Sequence, residues 1–368
     1  MKPNLGRIAG VLILIIAVTI GVWWKVRNRE TQPVAPVASG PAVVLSGKVG
    51  GEKVGFLEDA EIQNLLARSG LSLTLKKAGS VDMVKEPVNG LNFLWPASPI
   101  DLERFRVGGG SAAQAEELLS SPLVFYSWDF VTEALLTNHI VEKVGDIYFL
   151  ADLPKLVALI DEKTKWKDVG LPQFYTSILI QSTDPARSNS GNMWAALLAN
   201  TYNGGEVLTP DKADAIIPRV KTFFARVGFM EAGSGTLFDK FLKQGPGAYP
   251  IIVAYENQLL EFAHEHPELV EPVRKRLRVV YPRPTVWASH PLIALDGNSK
   301  RLIQALKDPA IQRIAWERHG FRSGLMGGVS TNSLPIMGIP ATIDGIMQIP
   351  NLAVMEKLTE ALAGGNTK

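Results

Sequence analysis

Cysteine is absent from this sequence of 368 residues, and its absence excludes several chemistries at once. Without a thiol there is no cysteine nucleophile, no iron–sulfur cluster, no cysteine-bound zinc, no disulfide and no lipid-modified cysteine. An excess of charge of one sign is also absent, because 38 basic residues nearly balance 36 acidic ones. No lysine or arginine block follows an aromatic ladder, so nucleic-acid binding is not expected.

The motifs of common enzyme classes are missing as well. The sequence contains no G-x-G-x-x-G turn after a strand pattern, no Gly-Lys-Ser/Thr loop, no G-x-S-x-G elbow and no H-E-x-x-H pair. His264 and His266 lie two positions apart on a predicted helix, so their rings face different sides and cannot both bind one metal. We therefore expect no catalytic residue, no metal and no cofactor. A serine hydrolase using Ser80 or Ser190 is the less favoured alternative.

One long apolar run stands near the N-terminus. Residues 8–24 carry no charge, are numerous enough to cross a bilayer and end in a tryptophan pair, which predicts a transmembrane anchor. We favour a retained anchor over a cleaved signal peptide, because the nearest small-x-small pattern, at 37–39, lies well beyond the apolar run. Basic residues flank both ends almost equally and do not set the orientation. Residues 1–7 would form a tail, and the proline-rich residues 25–47 a tether.

The remaining chain alternates strand and helix patterns. A hydrophobic content of 46% with 33 glycines and 24 prolines is typical of a packed globular protein, and the length favours two lobes. Predicted strands at 53–57, 71–75 and 91–95, with helices between them, indicate an α/β fold with a mostly parallel sheet. Asp59 is predicted to begin the first of these helices. A helix over 112–119 and a strand over 123–126 are predicted next, and a further strand over 251–255.

Residues 177–202 are the most informative stretch. An apolar, strand-like run leads through a hydroxyl-rich loop at 182–191 into a helix-like run, so backbone N–H groups and the positive end of the helix dipole would point at one spot. Four loop side chains add hydrogen-bond donors: Ser182, Thr183, Ser188 and Ser190. Such a turn suits an anion or a polar small molecule. The alternative is that Ser188 or Ser190 merely caps the helix.

The order of these segments resembles the type II extracytoplasmic solute-binding proteins, the superfamily that includes the phosphate- and molybdate-binding proteins of ABC importers. The resemblance covers nearly all of residues 48–325 and is carried by four places: 53–59, 182–191, 233–242 with 251–257, and 281–295 followed by 316–322. In this superfamily one lobe is built from the first and last parts of the chain, and the other from the middle. Two extended crossings join them.

This resemblance implies a two-lobed α/β fold in which each lobe is a mostly parallel sheet flanked by helices. Residues 48–126 and 283–368 would form lobe I and residues 127–282 lobe II, with crossings at 123–127 and 285–292. It implies ligand contacts between the lobes at these residues: Gly79, Ser80, Tyr126, Ser127, Ser188, Asn189, Ser190 and Tyr255. The turn at 233–236 is expected only to begin a helix.

The implied function is a membrane-anchored extracytoplasmic protein that captures a small polar or anionic solute by hinge motion. It would lie in the cytoplasmic membrane as a single-pass protein, contact the bilayer through residues 8–24 and deliver its solute to an ABC permease. An anchored sensor or assembly partner is the alternative. Phosphate-type sites of this superfamily begin a helix with Ser-Gly-Thr, whereas residues 188–191 read Ser-Asn-Ser-Gly. The identity of the ligand therefore stays open.

Overall fold

A computed structural model describes residues 42–323, 330–331 and 334–363. The predicted tail and transmembrane segment lie outside these residues and stay predictions. Within the described part of the chain, no helix has both the length and the apolar character that a membrane crossing requires. The tether was expected to continue to residue 47, but a strand already begins at Val43, because residues 43–49 pair with two other strands.

Strands and helices alternate along the described chain. The strands are β1 (Val43–Val49), β2 (Leu71–Lys77), β3 (Phe93–Trp95), β4 (Gln114–Trp128), β5 (Val141–Val144), β6 (Ile147–Leu150), β7 (Ile251–Tyr255), β8 (Leu277–Pro282) and β9 (Trp287–Ala294). The helices are α1 (Val54–Glu58), α2 (Ala60–Arg68), α3 (Ser80–Lys85), α4 (Pro99–Val107), α5 (Asp129–Thr137), α6 (Leu153–Asp161), α7 (Asn189–Tyr202), α8 (Pro210–Val227), α9 (Ser234–Gln244), α10 (Glu256–Glu265), α11 (Val270–Arg276), α12 (Gly297–Leu306), α13 (Pro309–Glu317) and α14 (Leu352–Leu362). Short 3₁₀ turns occur at Gly51–Lys53, Trp166–Val169 and Pro267–Leu269.

The strands pair in the order β2-β1-β3-β9-β4-β8-β6-β5, and β7 lies beside β4. Strand β1 is parallel to β2 and β3, and β6 is parallel to β8, whereas all other pairings between these strands are antiparallel. The expectation of mostly parallel sheets is therefore wrong, and the architecture is mixed α/β. The antiparallel pairings arise because β4 and β9 run past each other in opposite directions through the middle of the molecule.

The first lobe packs helices on both faces of its strands. In β3, Phe93 and Trp95 belong to a core with α2, α12 and α13, whereas Leu94 faces a smaller core with α3 and α4. This alternation follows from the period of two in a β-strand. Asp59 begins α2 as predicted, since its carboxylate accepts hydrogen bonds from the N–H groups of Glu61 and Ile62.

The second lobe has the larger core, and the C-terminal helix completes it. Val354, Met355 and Leu358 of α14 are fully buried among residues of this core, where α14 packs on α7 and α8. The assignment of residues 283–368 to lobe I is therefore wrong for its last helix. That helix is amphipathic, and its apolar face is covered by the second core. The other lobe boundaries stay predictions.

Strand β4 replaces a predicted helix over 112–119 and joins the two cores. Its first half pairs with β9, and its second half pairs with β7 and β8. Pairing with β9 overrides the helical propensity of the sequence around Glu116. The two expected crossings meet here, because Leu123 N–H donates to the Val286 carbonyl over 3.0 Å and Thr285 Oγ1 donates to the Leu123 carbonyl over 2.7 Å.

Two other predicted strands are absent from the described chain. Residues 53–57, expected as a strand, belong to a 3₁₀ turn and α1, where Phe56 and Leu57 pack into the first core. Residues 177–181 are extended but form only isolated bridges, Ser177 with Lys165 and Gln181 with Ile252. A short apolar run does not distinguish a strand from a buried turn of helix or an extended segment.

Candidate functional site

A cavity of about 360 Å³ lies where β1, β2 and β7 end. Residues that follow these strands line it, together with the starts of two helices of the second lobe. Ligand sites of open α/β sheets lie at this position, outside the carboxyl ends of the strands. Residues from both lobes contribute to its lining: Gly51, Glu52, Ser80, Asn189, Ser234 and Tyr255.

The N-terminal ends of three helices face this cavity. The first residues of α3, α7 and α9, which are Ser80, Asn189 and Ser234, line it together with the residue preceding each. No side chain of the described residues caps the first turn of any of the three. The free N–H groups and the positive ends of the helix dipoles therefore favour an anion here.

The serine loop reaches the cavity through two residues. Ser188 stands at the N-cap position of α7, but its hydroxyl lies 3.1 Å from Ser190 Oγ and does not cap the helix. Asn189 donates from Nδ2 to Tyr255 Oη over 2.9 Å and to the Ala97 carbonyl over 3.2 Å. The alternative interpretation, in which Ser188 merely caps α7, is therefore wrong, and hydrogen bonds of Ser188 and Asn189 hold the loop at the cavity edge instead.

The ten residues expected to contact ligand divide into two groups. Five line the cavity: Gly79, Ser80, Ser188, Asn189 and Tyr255. The other five are buried and hydrogen-bonded to protein atoms: Tyr126, Ser127, Ser182, Thr183 and Ser190. A role in ligand contact stays a prediction for all ten.

The second group holds the backbone beneath the cavity. Tyr126 Oη donates to the Tyr255 carbonyl over 2.7 Å, and Ser127 Oγ donates to the Pro250 carbonyl over 3.1 Å. Thr183 Oγ1 lies 2.7 Å from Ser190 Oγ. These bonds satisfy buried hydroxyl groups and fix the start of α10 and the serine loop, so the five residues act on the geometry of the cavity.

Sequence reasoning missed a buried ionic group at the cavity. Glu52 lines the cavity with a side chain that is only 8% exposed, and it pairs with the fully buried Lys53. Lys53 Nζ also lies 2.9 Å from His290 Nδ1. Burial and the neighbouring Lys53 lower the pKa of His290 to about 4, so the ring is neutral and Nδ1 accepts from the ammonium. The sequence placed Lys53 in a strand and left no signal for this triad.

The turn before α9 was also underestimated. Gly233, Ser234, Gly235 and Thr236 all line the cavity, although the sequence was interpreted as a helix start only. Ser234 is 5% exposed, and its hydroxyl makes no hydrogen bond with the described residues. A buried hydroxyl without a protein partner is a candidate ligand contact.

Side chains of both charge signs line the cavity. Lys76, Lys77 and Arg187 supply positive charge there. Burial raises the pKa of Asp82, and the Arg187 guanidinium partly opposes that shift. Glu86 is held by Lys48 over 2.6 Å, and this hydrogen bond lowers the pKa of the Glu86 carboxyl.

The two lobes touch at Gly79. A Cβ atom on this residue would lie closer than 3.0 Å to the backbone carbonyl oxygen of Arg187. Gly79 has a φ of −65°, which any residue adopts, so the glycine is required by space and not by backbone conformation. The start of α3 and the serine loop can approach this closely only because no side chain stands between them.

Comparison with known proteins places this architecture in one class. No family model and no curated protein sequence matches the chain. Solved structures do match, and several with a TM-score above 0.5 are solute-binding proteins or ABC-transporter components. The chain thus has the fold of the periplasmic solute-binding proteins, which confirms the resemblance to the type II superfamily at the level of the fold.

Three of these structures illustrate the similarity. The periplasmic thiamin binding protein is 12% identical, with 91% of this chain and 100% of that chain covered and a TM-score of 0.57. The sulfate-binding protein SubI from Mycobacterium tuberculosis H37Rv is 15% identical, with 86% and 96% covered and a TM-score of 0.53. The periplasmic binding protein AfuA from Actinobacillus pleuropneumoniae, with bound fructose-6-phosphate, is 13% identical, with 88% and 97% covered and a TM-score of 0.53. At these identities the fold is shared, and function needs its own argument.

Proposed function

We propose that this chain is an extracytoplasmic solute-binding protein that captures a small anionic ligand in the cavity between its lobes. The observation that carries this proposal is the convergence of three uncapped helix starts, from both lobes, on one cavity. The backbone N–H groups there have no side-chain acceptor, and a bound anion would accept their hydrogen bonds. The buried Ser234 hydroxyl adds a donor without a partner in the described chain.

Binding is favoured over hydrolysis by the surroundings of the candidate serines. Ser80 Oγ accepts a hydrogen bond from Ala97 N–H, and Ser190 Oγ is bonded to hydroxyl groups. No hydrogen bond joins either serine to a histidine in the described chain. A serine nucleophile needs an adjacent general base, so neither residue is set up for nucleophilic attack.

Membrane anchoring and delivery to an ABC permease complete the proposal. The uncharged run at residues 8–24 supports a single-pass anchor in the cytoplasmic membrane. An anchored sensor or assembly partner is the second candidate, favoured by this predicted helix in a chain that has no cysteine for a lipid anchor. If cells still take up the bound solute after the gene is deleted, the sensor function is favoured over import.

The binding proposal is tested by calorimetric titration of the full-length protein, in mild detergent, with oxyanions, sugar phosphates, amino acids and sugars. We expect an anionic class to bind and to raise the melting temperature by mass action. Replacing Ser188 and Ser234 together by alanine should weaken binding about tenfold, since each lost hydrogen bond costs about 0.5–1.5 kcal/mol. Ser72→Ala, on an exposed part of β2, is the matched control. Binding of no anion, or unchanged affinity in the double variant, would refute the assignment.

A further inference from the structure

The cavity contains a buried hydrogen-bond acceptor as well as anion-binding groups. Glu52 Oε1 pairs with Lys53, and no hydrogen bond joins Glu52 Oε2 to any residue that the structure describes. The side chain is more than nine-tenths buried and lines the cavity. This oxygen is therefore an acceptor that a ligand in the cavity can reach, and a donor on the ligand would make a hydrogen bond to a charged group there.

The charge on Glu52 is permanent and compensated. Burial is the largest single influence and would raise the pKa of this carboxyl, but the Lys53 ammonium and the neighbouring His290 together outweigh it and hold the pKa far below its usual range. Because Lys53 balances the charge and His290 is neutral, the triad carries no net charge. Glu52 can therefore accept a hydrogen bond without strongly repelling an anion bound nearby.

An inorganic oxyanion would satisfy only part of this lining. The starts of α3, α7 and α9 and the Ser234 hydroxyl present donors, whereas Glu52 presents an acceptor. A volume of about 360 Å³ also lies within the range of about 300–1,000 Å³ that is typical of small-molecule pockets. There is room for an organic molecule that reaches both kinds of group.

We propose that the ligand is a small organic anion that also carries a hydroxyl or ammonium group. Its anionic group lies at the starts of α7 and α9, and its hydroxyl or ammonium donates to Glu52. This inference rests on the proposed binding function and narrows it to a ligand class. Glu52 is then the residue that selects such ligands over bare oxyanions.

The competing explanation is that Glu52 serves only as the counter-ion of Lys53. A buried ion pair is a weak source of stability, and removing one partner leaves an uncompensated charge. Under that explanation a donor on the ligand would gain nothing at Glu52. The two explanations therefore differ in one measurable quantity. This is the gain in affinity when a hydrogen-bond donor is added to a ligand and its anionic group is kept the same.

The test titrates the full-length protein with matched pairs that differ in the donor alone or nearly so. The pairs are n-propyl phosphate with glycerol 3-phosphate, propionate with glycerate, and ethanesulfonate with taurine, and inorganic phosphate and sulfate are added as bare oxyanions. In the pair whose anionic group binds, the member with the donor should bind at least about tenfold more tightly than the donor-free member. This is the gain typical of a hydrogen bond to a charged group. Equal affinity within that pair, or tightest binding of a bare oxyanion, overturns the inference.

Variants locate the effect at Glu52. Glu52→Gln should reduce the preference within the pair to less than about threefold. Because this change strands Lys53, the double variant E52Q/K53M removes both charges and should give the same loss in a folded protein, verified by circular dichroism. Glu86→Gln, at the same cavity but bonded to Lys48, should keep the preference.

The two proposals fail differently. If no anion of any kind binds, the binding function itself is wrong, and the ligand class falls with it. If bare oxyanions or donor-free members bind as tightly as their partners, binding stands and only the role of Glu52 is refuted. Retention of the full preference in both Glu52 variants would likewise refute that role.

Discussion

The contact between Gly79 and the Arg187 carbonyl offers the sharpest test of the two-lobed binding mechanism. In Gly79→Ala the new Cβ would lie closer than 3.0 Å to that oxygen, whereas ordinary contacts begin at 3.4 Å. The start of α3 must therefore retreat from the serine loop by at least about 0.4 Å. Both partners are backbone or Cβ atoms, so no side-chain rotation relieves the overlap.

The size of the effect follows from overpacking. Forcing one extra carbon into a filled space costs about 1–3 kcal/mol. If binding requires the lobes to approach as they do here, this cost falls on the bound state, and the affinity should drop by about 5-fold to 150-fold. The unliganded protein can open at Gly79 and should keep most of its stability.

The measurement pairs calorimetric titration with thermal unfolding of the unliganded protein. Gly297→Ala is the matched control, because its Cβ would have no atom within 4 Å and its position lies at the start of α12, away from the cavity. Wild-type affinity in Gly79→Ala would refute the reasoning that closure brings these backbones together. An equal loss of stability without ligand would show instead that the lobes do not separate at this point.

Two further predictions concern buried charge. Because the pKa of His290 falls from 6.5 to about 4 in the folded protein, its stabilising contribution is complete above pH 6.5 and is lost as the pH falls toward 4. Urea unfolding should therefore show wild-type losing about 2 kcal/mol more than His290→Gln between pH 7 and pH 4.5, and equal losses would contradict this. Glu256 accepts from Arg322 Nε over 2.8 and 2.9 Å and lies 2.7 Å from Arg322 Nη2 in a buried ion pair, so Glu256→Gln should cost about 3–5 kcal/mol of unfolding free energy. The exposed pair of Glu271 and Arg274 is its control, since Glu271→Gln should cost less than about 1 kcal/mol, and similar losses in both variants would refute the argument.

Local signals in the sequence were reliable where one residue or one period decides the structure. Asp59 was predicted to begin a helix and does so, and the apolar run at residues 251–255 is strand β7 as predicted. Strand β4 was missed because residues 112–119 have helical propensity and only their pairing with the distant β9 makes them a strand. The register of β4 with β9, about 170 residues away in sequence, cannot be detected from the residues around β4 alone.

The candidate site could likewise be predicted only where a local sequence pattern determines it. The serine loop was identified because hydroxyl groups before a helix are a local pattern, and Ser188 and Asn189 do line the cavity. The triad of Glu52, Lys53 and His290 was missed because it joins residues 237 positions apart. Packing decides which hydroxyl groups line a cavity and which form hydrogen bonds with one another. The sequence therefore could not show that Ser188 lines the cavity and Ser190 does not.

The pattern of helix caps links stability to function in this fold. Several helices outside the cavity begin with a side chain that accepts from the first turn: Asp59 for α2, Ser98 for α4, Asp152 for α6, Asp296 for α12, Asp308 for α13 and Asn351 for α14. Helices α1, α5, α8, α10 and α11 also begin without such a cap, but none of their first residues lines the cavity, although Tyr255, which precedes α10, does. Since a missing cap costs about 1 kcal/mol, three uncapped starts at one cavity lower the stability of the unliganded protein. A bound anion would supply the missing acceptors, so ligand affinity and the stability gained on binding should arise from the same backbone N–H groups.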